Sequence, residues 1–258
     1  MAEPETGASE IALRAAEVAS DVSETDKPQE RSRLVGAFVK AATSSARAAG
    51  RGARVVRRRA GDGTGWLADH VVAMAPRLRV RDRAALQAQF PGKSSDQIAD
   101  ALVEGAARAA AAAGGATGMA SALPVLPAFP AEIVAETLVL VGIELKLVAE
   151  LHEAYGSPAP GKFTERMSAY VAAWAHRRGV FMIEGGLIFA AGSPLARALR
   201  RRLVGRAGRS AFSLGPMLTG AAAGALFNRR ETRKLGREIQ RDLRQLAVEA
   251  PKGPWWQR

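Results

Sequence analysis

The chain has 258 residues, with 37 Lys+Arg against 25 Asp+Glu, three His and no Cys, and is 48% hydrophobic but only 5% aromatic. The absence of Cys excludes a disulfide framework, Cys-ligated zinc, iron–sulfur clusters and a thiol nucleophile. The net charge of +12 points toward polyanions, either nucleic acid or an anionic membrane surface.

Residues 1–30 hold eight acids and two bases and lack the basic-then-apolar order of a signal peptide, so secretion is not expected. Ile11, Ala15 and Val18 form one short helical stripe, followed by the polar run Ser23-Glu24-Thr25-Asp26-Lys27-Pro28. This acidic leader is expected to be mostly disordered, a solvated tail, with electrostatic folding back on the next segment as the alternative. Residues 31–60 hold nine bases and no acid. Leu34, Phe38, Ala41 and Ala42 form an apolar stripe running into the Arg-dense stretch Arg51–Arg59, so 31–62 reads as a basic helical segment and Gly-rich linker.

From 63 to 250 the segments read at helical period. Thr64 is placed to cap a helix Trp66–Ala75 that stops before Pro76, and Asp82 to cap one ending at Phe90-Pro91-Gly92. Ser94 with Gln97 makes a capping-box pattern opening Asp96–Ala113. After Gly114-Gly115-Ala116-Thr117-Gly118, the prolines 124, 127 and 130 cannot continue a helix and predict a kinked connector. Pro130 suits the first turn of the longest apolar helix, Ala131–Tyr155. Its residues Val134, Leu138, Val141, Leu145, Val148 and Leu151 share one side, with Glu132, Glu136, Lys146, Glu150 and Glu153 on the other. Thr164–Arg178, Val180–Ala191, Leu195–Gly208, Ser210–Asn228 and Glu231–Glu249 read as further helices, with 251–258 as a tail. No alternating β-branched segment stands out. The expected fold is all-α, a multi-helix bundle with close-packed small-residue helices and a Pro-kinked connector.

Two uncharged windows, Ala109–Ala131 and Ser210–Asn228, approach the ~20 residues a membrane span needs. Their content is Ala, Gly, Ser and Pro, which contribute almost nothing to insertion. Instead, Gly114 with Gly118 and Gly220 with Gly224 have the small-xxx-small spacing that lets helices approach closely, in lipid or in a bundle. Bases lie at both ends of the second window, with Arg200, Arg201, Arg202 and Arg206 before it and Arg229, Arg230, Arg233 and Lys234 after it. Such flanks suit a segment that enters and leaves on one face better than one that crosses. Arg54, Arg57, Arg58 and Arg59 add a further polyanion-facing cluster, and Trp255-Trp256 suits an interfacial anchor.

Signs of chemistry are sparse. Phe90-Pro91-Gly92-Lys93-Ser94-Ser95 ends like a phosphate loop, but Gln87 stands where its first Gly belongs and no strand precedes it. Gly61-Asp62-Gly63-Thr64-Gly65 follows no strand either, so no dinucleotide fingerprint is read. His152-Glu153 lacks a second His at 156, which is Gly156, and no Glu-x-x-His occurs. Glu132, Glu136 and Glu150 therefore read as a solvated or interfacial stripe ahead of metal ligands. His70 and His176 have no partner in sequence, and no Gly-x-Ser-x-Gly elbow exists. No catalytic residue, metal or cofactor is assigned. Nucleic acid is the second polyanion reading: the Arg clusters could contact phosphates, but no reading module and few interleaved aromatics accompany them. The excess of Arg over Lys beside 54 Ala is also what a GC-rich genome yields, so placement of charge weighs more than residue type.

Three stretches together resemble the EcsC family of bacterial proteins. They are Ala106–Pro130, the long apolar helix ending in Tyr155-Gly156, and Gly215–Asn228 followed by Thr232-Arg233-Lys234-Leu235-Gly236-Arg237. The resemblance covers about Leu86 to Leu246 and implies a helical, membrane-associated protein without an accepted catalytic set. The function expected is thus a non-enzymatic helical protein held peripherally or re-entrantly at an anionic membrane, cytoplasmic and at the inner face of the cell membrane. A nucleic-acid binder and a soluble scaffold are the alternatives, with any protein partner or homo-oligomer left open.

Overall fold

The structure, a computed structural model, describes residues 4–48, 63–120, 129–183, 186–189 and 216–249. Within them the chain is an all-α multi-helix bundle. Its helices are α1 (Pro4–Glu24), α2 (Pro28–Ala48), α3 (Gly63–Met74), α4 (Arg83–Gln89), α5 (Ser95–Ala120), α6 (Phe129–Ala154), α7 (Phe163–Arg178) and α8 (Pro216–Glu249). A 3-10 turn, Ala75–Arg77, follows α3, and a small hairpin of β1 (Val180–Ile183) and β2 (Gly186–Phe189) follows α7.

The bundle is arranged around α6. Every residue from Ala135 to Leu151 is buried, because α1, α2, α5, α7 and α8 all pack against this helix. Its apolar stripe (Leu138, Val141, Leu145, Val148, Leu151) supplies core, but so complete an enclosure also takes in its charged side, whose groups then need partners inside the protein.

The leader corrects the expectation of disorder. Residues 4–24 are helical, and Ala12, Ala15, Ala16, Ala19 and Val22 are fully buried. Acidic composition concealed a helix stripe made of the smallest apolar side chain, which carries little hydropathy but allows close approach. A Cβ on Gly142 of α6 would meet the Ala19 Cβ at 2.6 Å, so these two helices fit only because Gly142 has none. The leader's acids do meet bases, though mainly distant ones: Asp21 pairs with Arg79, and Glu24 with Lys146 at 3.0 Å.

The second correction concerns 180–189, expected as helix and found as an antiparallel hairpin pairing Val180 with Phe189 and Ile183 with Gly186. Gly179 ends α7 in the left-handed region (φ +62°), where a side chain would be strained. The residues that follow are β-branched or bulky, and Gly185-Gly186 stands in the sequence where the second run begins, a turn signal that the apolar content hid.

Local end signals act as the sequence implies. Asp82 accepts from the Ala85 N–H at 2.8 Å to cap α4. Ser94 and Gln97 cap α5 reciprocally, the Ser94 N–H donating to Gln97 Oε1 and the Gln97 N–H to Ser94 Oγ. The 90–95 turn is thus a helix start, as its missing loop glycine implied.

Candidate functional site

The longest seam joins α5 and α8, which run antiparallel. Where their backbones come closest, a Cβ on Gly114 would stand 2.9 Å from the Gly224 carbonyl oxygen and 2.7 Å from Asn228 Nδ2. Asn228 donates to the Ala110 carbonyl across the same contact. Further along, a Cβ on Gly236 would stand 2.7 Å from a Val103 methyl. Beyond that the seam becomes ionic: Glu104 with Arg233 at 2.6 Å, Asp100 with Arg237 at 2.5 Å, and Asp96 with Arg244 at 2.9 Å. Acids at i, i+4 and i+8 on α5 form one stripe because four residues are only slightly more than one helical turn. The Arg233 guanidinium, helped by Arg229 and Arg237, holds the Glu104 carboxyl below the usual carboxylate range. The Tyr155 hydroxyl and Arg244 do the same for Asp96.

Two ionic clusters lie beneath the surface. In the first, the Glu144 carboxylate of α6 takes a paired contact from Arg178, Nε at 2.9 Å with Nη2 alongside. It also accepts from Trp174 Nε1 at 2.8 Å and the Thr232 hydroxyl at 2.9 Å. Three side chains from α7 and α8 thus meet, through four hydrogen bonds, on one buried carboxylate of α6. The second centres on Lys146, 1% exposed. Its ammonium has three N–H donors and meets Glu150 at 2.7 Å, Glu24 at 3.0 Å and the Arg79 carbonyl. Arg81 forks onto the same Glu150, Nε at 2.8 Å and Nη2 at 2.6 Å. The reading of Glu132, Glu136 and Glu150 as a solvated stripe is therefore corrected for Glu136 and Glu150, which are buried, while the Glu132 side chain lies outside the described ones; Glu153 is buried as well, and cations from other elements reach Glu150 and Glu153. Among the described residues no three His, Asp or Glu side chains form a group that could hold a metal ion.

Above the Lys146 cluster opens a cleft of about 560 Å³ between α5, α6 and the corner where α1 turns into α2. Leu102, Ala106, Ile143 and Leu147 give it an apolar floor. Its acids are already engaged: Glu24 and Glu150 on Lys146, Asp100 on Arg237, Glu104 on Arg233, and Asp26 facing Arg31 at 3.7 Å. The same holds for two of its cations, Arg81 and Lys146. Lys93 lies over the Phe90 ring at 5.3 Å, and neither it nor Arg108 has an ion pair among the described residues.

Compared with family models, curated proteins and solved structures, the chain matches none. The site must be read from its own chemistry.

Of the residues singled out from the sequence, Arg54, Arg57, Arg58, Arg59, Arg200, Arg201, Arg202 and Arg206 lie outside the described residues. Arg229, Arg230, Arg233 and Lys234 share α8, but Arg233 is committed to Glu104, and Lys234 stands 3.9 Å from Glu238. Gly114 and Gly224 are brought face to face, while Gly118 and Gly220 lie on the same two helices. Sequence reasoning missed Glu144, Arg178, Lys146 with Arg81, and Arg108. The spacing Asp96-Asp100-Glu104, repeated as Arg233-Arg237 on the last helix, was the available signal for the seam.

Proposed function

We propose that this chain is a non-enzymatic helical protein that docks peripherally on an anionic membrane surface, at the inner face of the cell membrane, through the uncharged end of the α5–α8 pair. The observation supporting this reading is the segregation of charge along that pair. One end carries the three carboxylate–arginine contacts. The other has no charged residue from Ala109 to Ala120 on α5 or from Pro216 to Asn228 on α8. Arg108 and Arg229-Arg230 stand at the border.

An apolar tip behind a basic collar suits a headgroup layer. Leu226, on the uncharged end, is 65% exposed, and burying such a side chain is worth roughly 1.5–3 kcal/mol. Each base near anionic lipid adds about 1 kcal/mol. Among the described residues no helix is long and apolar enough to cross a membrane, and the proposal is of docking or dipping, not spanning. It agrees with what the resemblance to the EcsC family implies.

Sedimentation with vesicles tests it. The protein is expected to pellet with phosphatidylglycerol-containing vesicles at low salt, and less with pure phosphatidylcholine or at high salt. Retention in the supernatant with anionic vesicles at low salt overturns the reading, as does preferential binding of duplex DNA at matched salt.

A further inference from the structure

We propose that the docking tip selects lipids with a phosphomonoester headgroup, of the phosphatidic acid type. Arg229 and Arg230 of α8, with Arg108 of α5 at the same level, hold the phosphate, and the acyl chains run past Leu226. The inference rests on the membrane-docking reading and adds to it which headgroup is taken and by which residues.

Helix register places the three arginines together. On the antiparallel pair, Glu104 meets Arg233 at 2.6 Å and Asp100 meets Arg237 at 2.5 Å. Four residues advance about 6 Å along each helix, so the next level toward the uncharged end carries Arg108 on α5 and Arg229 on α8. The Asn228 amide, which reaches the Ala110 carbonyl at 3.4 Å, fixes the same level independently. Acid faces base at two successive levels, and then base faces base at the border where both helices lose their charges. The acids of α5 and α8 within one turn are already engaged, Glu104 by Arg233 and Glu231 by Arg178 at 3.6 Å. None of Arg108, Arg229 and Arg230 has an ion pair among the described residues.

Leu226, Arg229 and Arg230 lie at i, i+3 and i+4 and so share one face of α8. Arg230 is exposed, while Arg229 is half-buried with its Nε shielded from water and without an acceptor among the described residues. A guanidinium already short of hydration gives up less when an anion arrives. A phosphate between these two arginines would direct its chains along exposed Leu226 toward the uncharged tip. Oxygen count then sets the headgroup class. One bidentate arginine occupies two phosphate oxygens, all that a phosphodiester such as phosphatidylglycerol leaves free. A phosphomonoester offers three oxygens and approaches two negative charges near neutral pH, so it serves a second guanidinium and offsets more of the repulsion among three cations.

Sedimentation of the full chain with phosphatidylcholine vesicles containing either phosphatidic acid or phosphatidylglycerol, matched in zeta potential, tests this. Binding to the phosphatidic acid vesicles is expected to be about tenfold tighter, the scale of one charge-assisted contact. Arg108→Gln and Arg230→Gln, both at exposed positions, should each reduce that preference to within about twofold. Arg230→Lys keeps the charge without the fork and should lose the preference as well. Arg241→Gln removes the same charge about 16 Å farther along α8 and should leave the preference unchanged. Equal binding to the matched vesicles overturns this inference and leaves the docking reading standing, whereas binding to neither overturns both. A preference that survives in both Gln variants, or falls as far in Arg241→Gln, overturns the assignment to these arginines. Inorganic phosphate competing as strongly as soluble dihexanoyl phosphatidic acid overturns the choice of a lipid.

Discussion

Gly114 of α5 and Gly224 of α8 lie so close that a Cβ on the first would stand 2.9 Å from the carbonyl oxygen of the second. No side chain separates the two backbones at this crossing. Everything else in the seam, from the Asn228 amide on the Ala110 carbonyl to the three ion pairs beyond it, is registered from this contact. The neighbouring Gly115 differs, since its added Cβ would meet only the Ala225 Cβ at 3.9 Å, an ordinary contact.

The two glycines should therefore respond oppositely to alanine. Gly114→Ala gains about 1 kcal/mol of helix propensity but forces a methyl into backbone, an overpacking that costs about 1–3 kcal/mol. A net loss of stability is expected, because neither helix backbone can yield without breaking the register. Gly115→Ala should stabilise by up to about 1 kcal/mol. Urea denaturation followed by circular dichroism compares them; equal effects would refute the close-contact assignment.

Removing Arg178 should be far more damaging than removing a seam arginine. Arg178→Met leaves the Glu144 carboxylate buried without its cation, a loss of about 3–5 kcal/mol. Arg237→Ala breaks a surface pair worth about 0.2–1 kcal/mol. The double variant Glu144→Leu/Arg178→Met should recover part of the first loss, because the uncompensated charge goes with its partner. Chemical denaturation of the three variants measures the order.

Acidification should weaken the fold in two stages of the same sign. Burial, reinforced by Arg177, lowers His152 from the usual imidazole range, even though its Nδ1–H donates to the Val148 carbonyl at 2.8 Å. A base with a lowered folded value resists charging in the fold. Its contribution is therefore whole above about pH 6.5 and is lost as pH falls through the lowered value. Asp96 and Glu104, also lowered, lose theirs below about pH 4. Stability measured between about pH 7 and 5 should decline in the native chain and stay flatter in His152→Gln.

Membrane docking should depend on which end of α8 is altered. Leu226 and Leu246 are both exposed leucines on that helix, one in the uncharged half and one beyond the ion pairs. Leu226→Glu is expected to abolish pelleting with anionic vesicles and Leu246→Glu to leave it unchanged. The reverse pattern, or equal loss, would contradict the docking tip.

Helices, caps and the small-residue stripes were legible because their causes are local. Asp82 reaches an N–H three residues on, and the apolar period of α6 or the glycines of α5 and α8 can be read in a short window. Two local signals were outweighed. In α1 alanine burial looked like acidic disorder, and in 180–189 the paired glycines were lost in an apolar run.

The fate of the charges was decided by tertiary structure alone. Arg237 and Asp100 are separated by 137 positions, and Lys146 and Glu24 by 122. Nothing in a helical period says which carboxylate a given cation will face, since that depends on how two helices are registered against each other. The sequence by itself determined a helical chain with a near-neutral middle between basic segments and glycines fit for close contact. Packing α6 on all sides then turned its charged face inward, because a helix fully surrounded has no solvent side left. Lys146 kept a counterpart one turn away in Glu150, but Glu144, Glu150 and Glu153 also drew cations from other elements, and Arg108, whose helical neighbour Glu104 went to Arg233, was left lining the cleft.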